Sequence, residues 1–325
     1  MKLRMTNKDN TKTKTNSAKP AGETAWKQKK KRRRTHRKAQ KETWTGAAGL
    51  PISYTVDAIA IDPHWVEVVE MKLPLPNLPE AFMDKRIVQI SDLHCSRAVK
   101  KDYLLRCMDR INQLEPDMVV LTGDYITYEG KNGYKQQVVD VVGQLQSRHG
   151  VFACLGNHDY GFMTRFHQKG RTELREFLTE GMAQQGITVL QNDSHAITLD
   201  QQRLWMVGLG DLWSNDFAPA MAFANVAPTE PVITLAHNPD TIDLLQDYPA
   251  HAVLCGHTHG GQVNIPLLGP PFLPIKNRQF CAGMFHVYGK SLYVNRGLGR
   301  LGRIRFNCRP EITVFTLTRQ PALAG

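Results

Sequence analysis

The feature that most constrains this chain is a pattern that recurs five times: a short apolar run that stops at a cluster of polar side chains. Residues 86–90 run into Ser91-Asp92-Leu93-His94, residues 117–121 into Thr122-Gly123-Asp124, and residues 151–155 into Gly156-Asn157-His158-Asp159. Residues 231–236 run into His237-Asn238, and residues 251–255 into Gly256-His257-Thr258-His259. Runs of this length, β-branched and bounded by glycine, are the mark of strands buried on both faces. Amphipathic helix patterns lie between them. Leu104, Leu105, Met108, Ile111 and Leu114 share one face of the first, and Val138, Val139, Val142 and Leu145 one face of the second, with Gly150 placed as its stop. Leu174, Phe177, Leu178 and Met182 suggest a third. Strand–loop–helix alternation predicts an α/β fold, in which ligands sit outside the carboxyl ends of the strands. All five polar clusters fall there, so they can converge.

Their chemistry says on what. Asp92, His94, Asp124, Asn157, His237, His257 and His259 offer four imidazoles, two carboxylates and one amide oxygen. Mixed imidazole and carboxylate ligation suits Mn, Fe or Zn and is too rich in nitrogen for Mg or Ca. Seven ligands exceed one tetrahedral site but fit two divalent ions that share a bridging carboxylate. Two such ions, about 3.5–4 Å apart, clamp the attacking and leaving oxygens of a phosphoryl displacement. His158 is left over beside the ligands, where a general acid is useful.

The motif set Asp-x-His, Gly-Asp, Gly-Asn-His-Asp, a lone His and Gly-His-x-His resembles that of the calcineurin-like metallophosphoesterases, over residues 86–260. The resemblance implies a four-layer α/β/β/α sandwich with two central mixed sheets. It implies that Asp92, His94 and His259 hold one metal and that Asn157, His237 and His257 hold the other, with Asp124 bridging. His158 would protonate the leaving group or steady the phosphoryl oxygens, and a metal-bound hydroxide would attack. One departure narrows the branch. The protein serine/threonine phosphatases of the superfamily extend the second motif to Gly-Asp-x-x-Asp-Arg-Gly, whereas here Thr127 and Tyr128 stand at the Asp and Arg positions. The acid that would orient His158 and the arginine that would grip phosphate are missing, which disfavours that branch.

The C-terminal third carries Gly256-His257-Thr258-His259-Gly260-Gly261-Gln262-Val263, an apolar proline-rich loop over residues 265–275, and Tyr293-Val294-Asn295-Arg296-Gly297-Leu298-Gly299. With residues 66–79 it is similar to the subgroup of bacterial membrane-associated phosphodiesterases that includes a UDP-2,3-diacylglucosamine pyrophosphatase of lipid A synthesis. The resemblance then covers nearly all of residues 51–318. It implies hydrolysis of a phosphodiester or pyrophosphate, with a lipid-linked nucleotide as the specific substrate. A general phosphodiesterase or phosphomonoesterase acting on nucleotides is the alternative within the enzyme class. A tethered, non-catalytic binding module is the alternative outside it, disfavoured by the complete ligand set. Proline limits internal hydrogen bonding in the 265–275 loop, so its apolar side chains either project as a patch for an acyl chain or membrane, or fold back onto the core. Arg296, flanked by Gly297 and Gly299, is placed either to grip a substrate phosphate or to form an ordinary salt bridge. Asp211 and Trp213 stand at a further strand end and are candidates for the pocket wall.

Charge separates this body from its N-terminus. Of 41 Lys and Arg and 30 Asp and Glu, residues 1–48 hold 16 and 3, a net of +13, which leaves 25 and 27 for the rest, a net of −2. A wholly basic nucleic-acid-coating protein is thereby excluded. Residues 1–50 are expected to be a disordered polybasic tail, because too few aliphatics are present to offset chain entropy. The phosphoesterase domain is expected over residues 51–320, opening with strands at 54–61 and 65–72 that Pro74, Pro76 and Pro79 punctuate. The tail's basic cluster, with Trp26 and Trp44 near its ends, suits a solvated appendage or an anionic membrane surface. Nucleic acid fits less well, since base-reading folds and stacking motifs are missing. Six scattered cysteines without a Cys-x-x-Cys pair predict reduced thiols. With no apolar stretch of spanning length and no secretory signal pattern, the expectation is a cytoplasmic protein, peripheral on the inner face of the membrane if the tail adheres.

Overall fold

A computed structural model describes residues 65–129, 133–162, 172–302 and 304–320. The basic tail and the strand expected at 54–61 lie outside the described residues. The first half of the domain runs β1 (Glu67–Leu75), β2 (Arg86–Ile90), α1 (Lys101–Asn112), β3 (Met118–Thr122), α2 (Tyr134–Val142), β4 (Val151–Cys154), α3 (Thr172–Gln184) and β5 (Ile187–Val189). The second half runs β6 (Asp193–Leu199), β7 (Gln202–Gly208), a one-turn helix α4 (Pro219–Ala222), β8 (Val232–Leu235), β9 (Ala252–Cys255), β10 (Gly283–Val287), β11 (Lys290–Val294) and β12 (Glu311–Arg319).

Two six-stranded mixed sheets result, one in the order β1-β12-β2-β3-β4-β5 and the other β10-β11-β9-β8-β7-β6. In the first, β2 through β5 are parallel, as are β7, β8, β9 and β11 in the second. The last strand, β12, returns from the second sheet to lie between β1 and β2 of the first.

Side-chain alternation sorts the strands into layers. Met118 and Val120 of β3 point between the sheets, where they meet Leu204 and Met206 of β7 and Ala252 and Leu254 of β9. Their neighbours Val119 and Leu121 point outward against Leu104, Met108 and Ile111 of α1, Val138 and Val142 of α2 and Leu178 of α3. On the far side Trp205, Val207 and Val253 pack under Phe223 and Ile242. A strand with both faces covered needs apolar residues at every position, which is why the runs read as continuous rather than alternating. The α/β/β/α layering agrees with expectation, but its last layer is thin: α4 has four residues, and a 3-10 turn at Pro239–Leu244 does the rest.

Two local expectations need correction. Helix α2 stops at Gly143, not at Gly150, so Leu145 lies beyond it. Gly150 instead enters β4 with φ of 114°, a conformation costly for any other residue. Pro74 does not end β1, because β1 is an edge strand paired only with β12, and an edge tolerates a missing N–H. All six cysteines are free, five of them buried.

One polar residue crosses the layer between the sheets. Gln89 of β2 is fully buried and its Nε2 donates to Thr122 Oγ1 at 3.1 Å and to the Cys255 carbonyl at 3.0 Å. It ties the carboxyl ends of β2, β3 and β9 together where the polar loops begin.

Candidate metal centre

The five loops that follow β2, β3, β4, β8 and β9 meet at one place. Asp92 N donates to the Gly123 carbonyl at 2.9 Å, His94 N to the Asp124 carbonyl at 3.0 Å, and Gly256 N to the His237 carbonyl at 3.0 Å. Sharp reversals in these loops put Asp92, His94, Asp124, His257 and His259 at φ values of 52°, 47°, 58°, 72° and 54°. Left-handed backbone at five of the seven predicted ligands is stored strain, tolerated because the surrounding hydrogen bonds over-determine it. The motif glycines let the loops approach. A Cβ on Gly156 would clash with Asp124 Oδ1, and one on Gly256 would clash with Ser91 Oγ and Asp92 Oδ2.

Three groups of buried side chains place ligand atoms within 4.8 Å of one another: Asp92, His94 and His259; His94, Asp124 and His158; Asp124, His237 and His257. Asp124 belongs to two of them. Its Oδ2 lies 3.2 Å from His237 Nε2 and 3.5 Å from His94 Nε2. On one side His259 Nε2 is 3.0 Å from His94 Nε2 and 3.4 Å from Asp92 Oδ1. On the other, His257 Nδ1 is 3.1 Å from His237 Nε2. Asn157 completes the set: its Nδ2 donates to the Phe162 carbonyl at 2.6 Å, and its buried Oδ1 accepts no hydrogen bond. An orphaned buried oxygen beside clustered imidazoles and carboxylates fits a cation ligand. All seven predicted ligands are therefore brought together.

Carbonyl groups outside the cluster set which ring nitrogen faces inward. His237 Nδ1 donates to the Thr122 carbonyl at 2.7 Å, and His257 Nε2 to the Pro274 carbonyl at 3.1 Å. This is the outer-shell pattern that fixes the tautomer of ligating imidazoles. Burial opposes charge on every ring. It holds His94 and His257 down to about 3, with His158 and His237 respectively adding to the effect, and it holds His259 well below the ordinary imidazole range. Those three are neutral, the form that binds a cation. At His237 burial is outweighed by the nearby Asp124, Asp92 and Asp211 carboxylates, which raise it to about 10. Burial lifts Asp92 to about 6, and the Asp124 charge pushes the same way. Asp124 is held well below the usual carboxylate range, because His237 foremost, then His158 and His94, outweigh its burial.

A cavity of about 1050 Å³ opens over these groups, its floor formed by Asp124, Asn157, His158, His257 and His259. Its walls are largely apolar and include Leu212, Trp213, Phe272, Leu273 and Pro274. Trp213 stands edge-on to the His257 ring, 4.5 Å between centroids. His158 enters from the β4 loop; its main-chain N donates to Asp124 Oδ1 at 2.9 Å and its Nδ1 to the Thr127 carbonyl at 2.8 Å.

Arg296 is not on this wall. Its guanidinium is turned to Glu311 and, at 2.9 Å, to Glu67, the salt-bridged alternative of the two. Asp211 likewise stands outside the cavity lining, one of its oxygens accepting from Ser214 N at 2.8 Å.

Three supporting residues escaped sequence reasoning. Asp159 is fully buried and its carboxylate accepts from the main-chain N–H groups of Asp124, Tyr125 and Gly156, each at 2.8 Å, so one side chain shapes two ligand loops. It was visible as the last letter of Gly-Asn-His-Asp, though nothing local says that it points backward. Arg305 is buried and its Nη2 donates to the carbonyls of Arg296, Gly297 and Gly299 at 2.7, 3.1 and 2.6 Å. That strap presses the 297–299 segment onto Asp92, where Gly299 N meets the Asp92 carbonyl at 2.7 Å. Glu311 ties Arg296 to Tyr293, whose hydroxyl donates to it at 2.6 Å.

Buried candidate metal ligands gathered at the carboxyl ends of strands from two mixed sheets are the arrangement expected of a metallophosphoesterase. Residues 85–261 match the calcineurin-like phosphoesterase family model, and the chain belongs to that family, a family of hydrolases. It is 34% identical to the phosphodiesterase YaeI of Escherichia coli over 261 residues, 79% of this chain and 90% of that one. It is 30% identical to the UDP-2,3-diacylglucosamine pyrophosphatase LpxG of Chlamydia muridarum over 322 residues, 85% and 97% of the two chains. With YkuE of Bacillus subtilis, a metallophosphoesterase, it shares 33% over 260 residues, 79% of this chain and 87% of the other.

Proposed function

We propose that this chain hydrolyses a phosphodiester or pyrophosphate bond, and that its substrate is a lipid-linked nucleotide of the UDP-2,3-diacylglucosamine type. The observation that carries the reading is the cavity itself: it joins Asp124, Asn157 and His158 to the apolar wall at Phe272, Leu273 and Pro274. A phosphoryl group and an acyl chain would occupy its two ends. The likeness to YaeI and LpxG supports both parts of the reading.

Asp92, His94 and His259 are assigned to one divalent cation and Asn157, His237 and His257 to a second, with Asp124 shared. The donor set favours Mn, Fe or Zn. Bound there, the ions supply Lewis acidity, polarising phosphoryl oxygens and acidifying water. The protein's own groups do the rest. His158 has its Nδ1 proton committed to Thr127, so Nε2 is the nitrogen left to hold or deliver a proton at the leaving oxygen. Thr122 and Pro274 keep His237 and His257 in their ligating tautomers. The apolar wall at Leu273 and Trp213 excludes water from the departing group, which strengthens every charge interaction on the floor. Among the described residues no helix is long and apolar enough to cross a membrane.

Purified, manganese-loaded protein incubated with UDP-2,3-diacylglucosamine should release UMP, followed by mass spectrometry, and Asp124→Ala should release none. If that substrate stays intact while bis(p-nitrophenyl) phosphate is cleaved, the lipid assignment falls and the general phosphodiesterase reading takes its place.

A further inference from the structure

The loop beyond His259 does two different things with its apolar residues. Leu273 turns inward and is buried, whereas Leu267 and Leu268 are 107% and 81% exposed and Phe272 is 73% exposed. The exposed pair is held out by design of the backbone. Gly269 N and Leu268 N both donate to the Ile265 carbonyl, at 2.8 and 3.1 Å, closing a tight turn with Leu267 at φ of 68°. A bulky residue in left-handed backbone is costly, and here that cost maintains two leucines at the tip of a turn. The turn is anchored from below: Arg278 donates to the Pro270 carbonyl at 2.7 Å, and Pro270 packs on Gly261. A second segment lies alongside. Asn264 N donates to the Phe306 carbonyl and Phe306 N to the Gln262 carbonyl, both at 2.9 Å, which brings the exposed Leu301 and Ile304 next to the same turn. Leu301 and Phe272 also line the cavity mouth.

Cations outnumber acids around this rim. Between Asp247 and Glu311 the chain carries eight Lys and Arg and no Asp or Glu. Lys276 and Arg278 are exposed beside the turn, and Arg97 and Lys100 are exposed on the loop whose Ala98 carbonyl accepts from Arg300 at 2.8 Å. The nearest acids across the cavity are occupied: Asp240 accepts from Lys276 N at 2.8 Å, and Asp243 from the Tyr288 hydroxyl at 3.1 Å.

We infer that the rim formed by Leu267, Leu268, Phe272, Leu301 and Ile304 docks on an anionic lipid bilayer. The apolar tips enter the acyl boundary, the flanking cations meet headgroup phosphates, and the cavity mouth opens at the membrane surface. An apolar tip flanked by Lys and Arg is complementary to a surface that is anionic outside and apolar beneath, and not to a neutral or basic protein face. This deepens the proposed function, on which it rests for why a phosphoesterase cavity should open toward lipid.

The test is co-sedimentation of the full chain with vesicles of phosphatidylglycerol and phosphatidylcholine, at 0.15 M and 0.5 M salt. Basic side chains, including those of residues 1–48, lose their attraction at the higher salt, whereas buried leucine does not. Leu267→Asp with Leu268→Asp should weaken binding at 0.5 M salt by about tenfold or more, with turnover of bis(p-nitrophenyl) phosphate retained, since neither residue lines the cavity. A Leu268→Trp variant should show blue-shifted emission quenched by brominated lipid, a readout that does not require the double variant to fold. Unchanged binding by the double variant at 0.5 M salt, absence of brominated-lipid quenching, or equal binding at 0.15 M salt to vesicles of phosphatidylcholine alone each overturns the inference. Vesicle binding without any phosphoesterase turnover would leave the docking surface standing and remove the functional reading instead.

Discussion

His158 Nδ1 lies 2.8 Å from the main-chain carbonyl of Thr127 and donates its proton there. In the serine/threonine phosphatase pattern, the residue at the Thr127 position is an acid. Here the main-chain carbonyl of that position makes the contact to His158 Nδ1. The bond also holds the β3 and β4 loops together, since His158 N reaches Asp124 Oδ1 at 2.9 Å.

This relationship separates three variants. His158→Ala should lower kcat on bis(p-nitrophenyl) phosphate by about 10²–10⁴ and keep its metal. Asp124→Ala should lose activity together with metal. Thr127→Ala keeps the carbonyl that orients His158 but loses the hydroxyl 3.3 Å from His94 Nδ1, so it should cost about tenfold, mainly through metal affinity. Metal content by mass spectrometry and steady-state kinetics decide; equal metal loss in the His158 and Asp124 variants would falsify the division of roles.

Asp159 is expected to matter through stability and loop shape. It accepts three main-chain N–H groups at 2.8 Å. Asp159→Asn turns a donor toward one of those N–H groups and should destabilise the metal-free protein by about 3 kcal/mol, measured by urea unfolding. A change within about 0.5 kcal/mol would mean that the loops hold themselves.

Gly256 is a steric requirement with no demand on φ. Its missing Cβ leaves room for Ser91 Oγ and Asp92 Oδ2. Gly256→Ala should therefore displace Asp92 and lower metal stoichiometry, with Asp92, His94 and His259 as the half affected. Titration with Mn²⁺ by calorimetry reads the number of sites; retention of the parent stoichiometry would show that the loops can yield.

The pH dependence of the metal-stripped protein has a defined sign. His237 is raised from the ordinary imidazole value to about 10, its burial outweighed by Asp124 foremost among the carboxylates. A group whose folded value lies above its unfolded one stabilises fully below the unfolded value and loses that contribution as pH climbs to the folded one. Stability of the stripped protein should thus fall between about pH 6.5 and pH 10. Cation binding must displace the same proton, so Mn²⁺ affinity should rise with pH over that window. A His237→Gln variant with the same slope of metal affinity against pH would assign the effect to another group.

The ligand types were legible because each stands at the end of a strand, and strand ends are set by local pattern. A continuous apolar run announces burial on both faces, and the polar residues that break it must lie at the sheet's edge. That logic selected Asp92, His94, Asp124, Asn157, His237, His257 and His259 as candidate ligands without any knowledge of how the two sheets face each other. It also read helices α1 and α3 from their apolar faces. It missed the end of α2 at Gly143, because Leu145 extends the apolar stripe past the residue at which the chain turns.

What the tertiary structure decided involves partners remote in the chain. Arg296 is followed by Gly297 and Gly299, a setting that suits a phosphate as well as a salt bridge. Glu67, 229 positions away, and Glu311 settle it, because they arrive beside Arg296 only when β12 returns between β1 and β2. The tautomers of His237 and His257 depend on carbonyls of Thr122 and Pro274 that no local window contains. The apolar loop divided itself the same way: Leu273 found a wall to cover it, and Leu267 and Leu268 did not. Local sequence determines which groups a strand end can offer. Which of them are paired, oriented or left facing solvent depends on surfaces supplied by distant segments, and those exist only once the two sheets have packed.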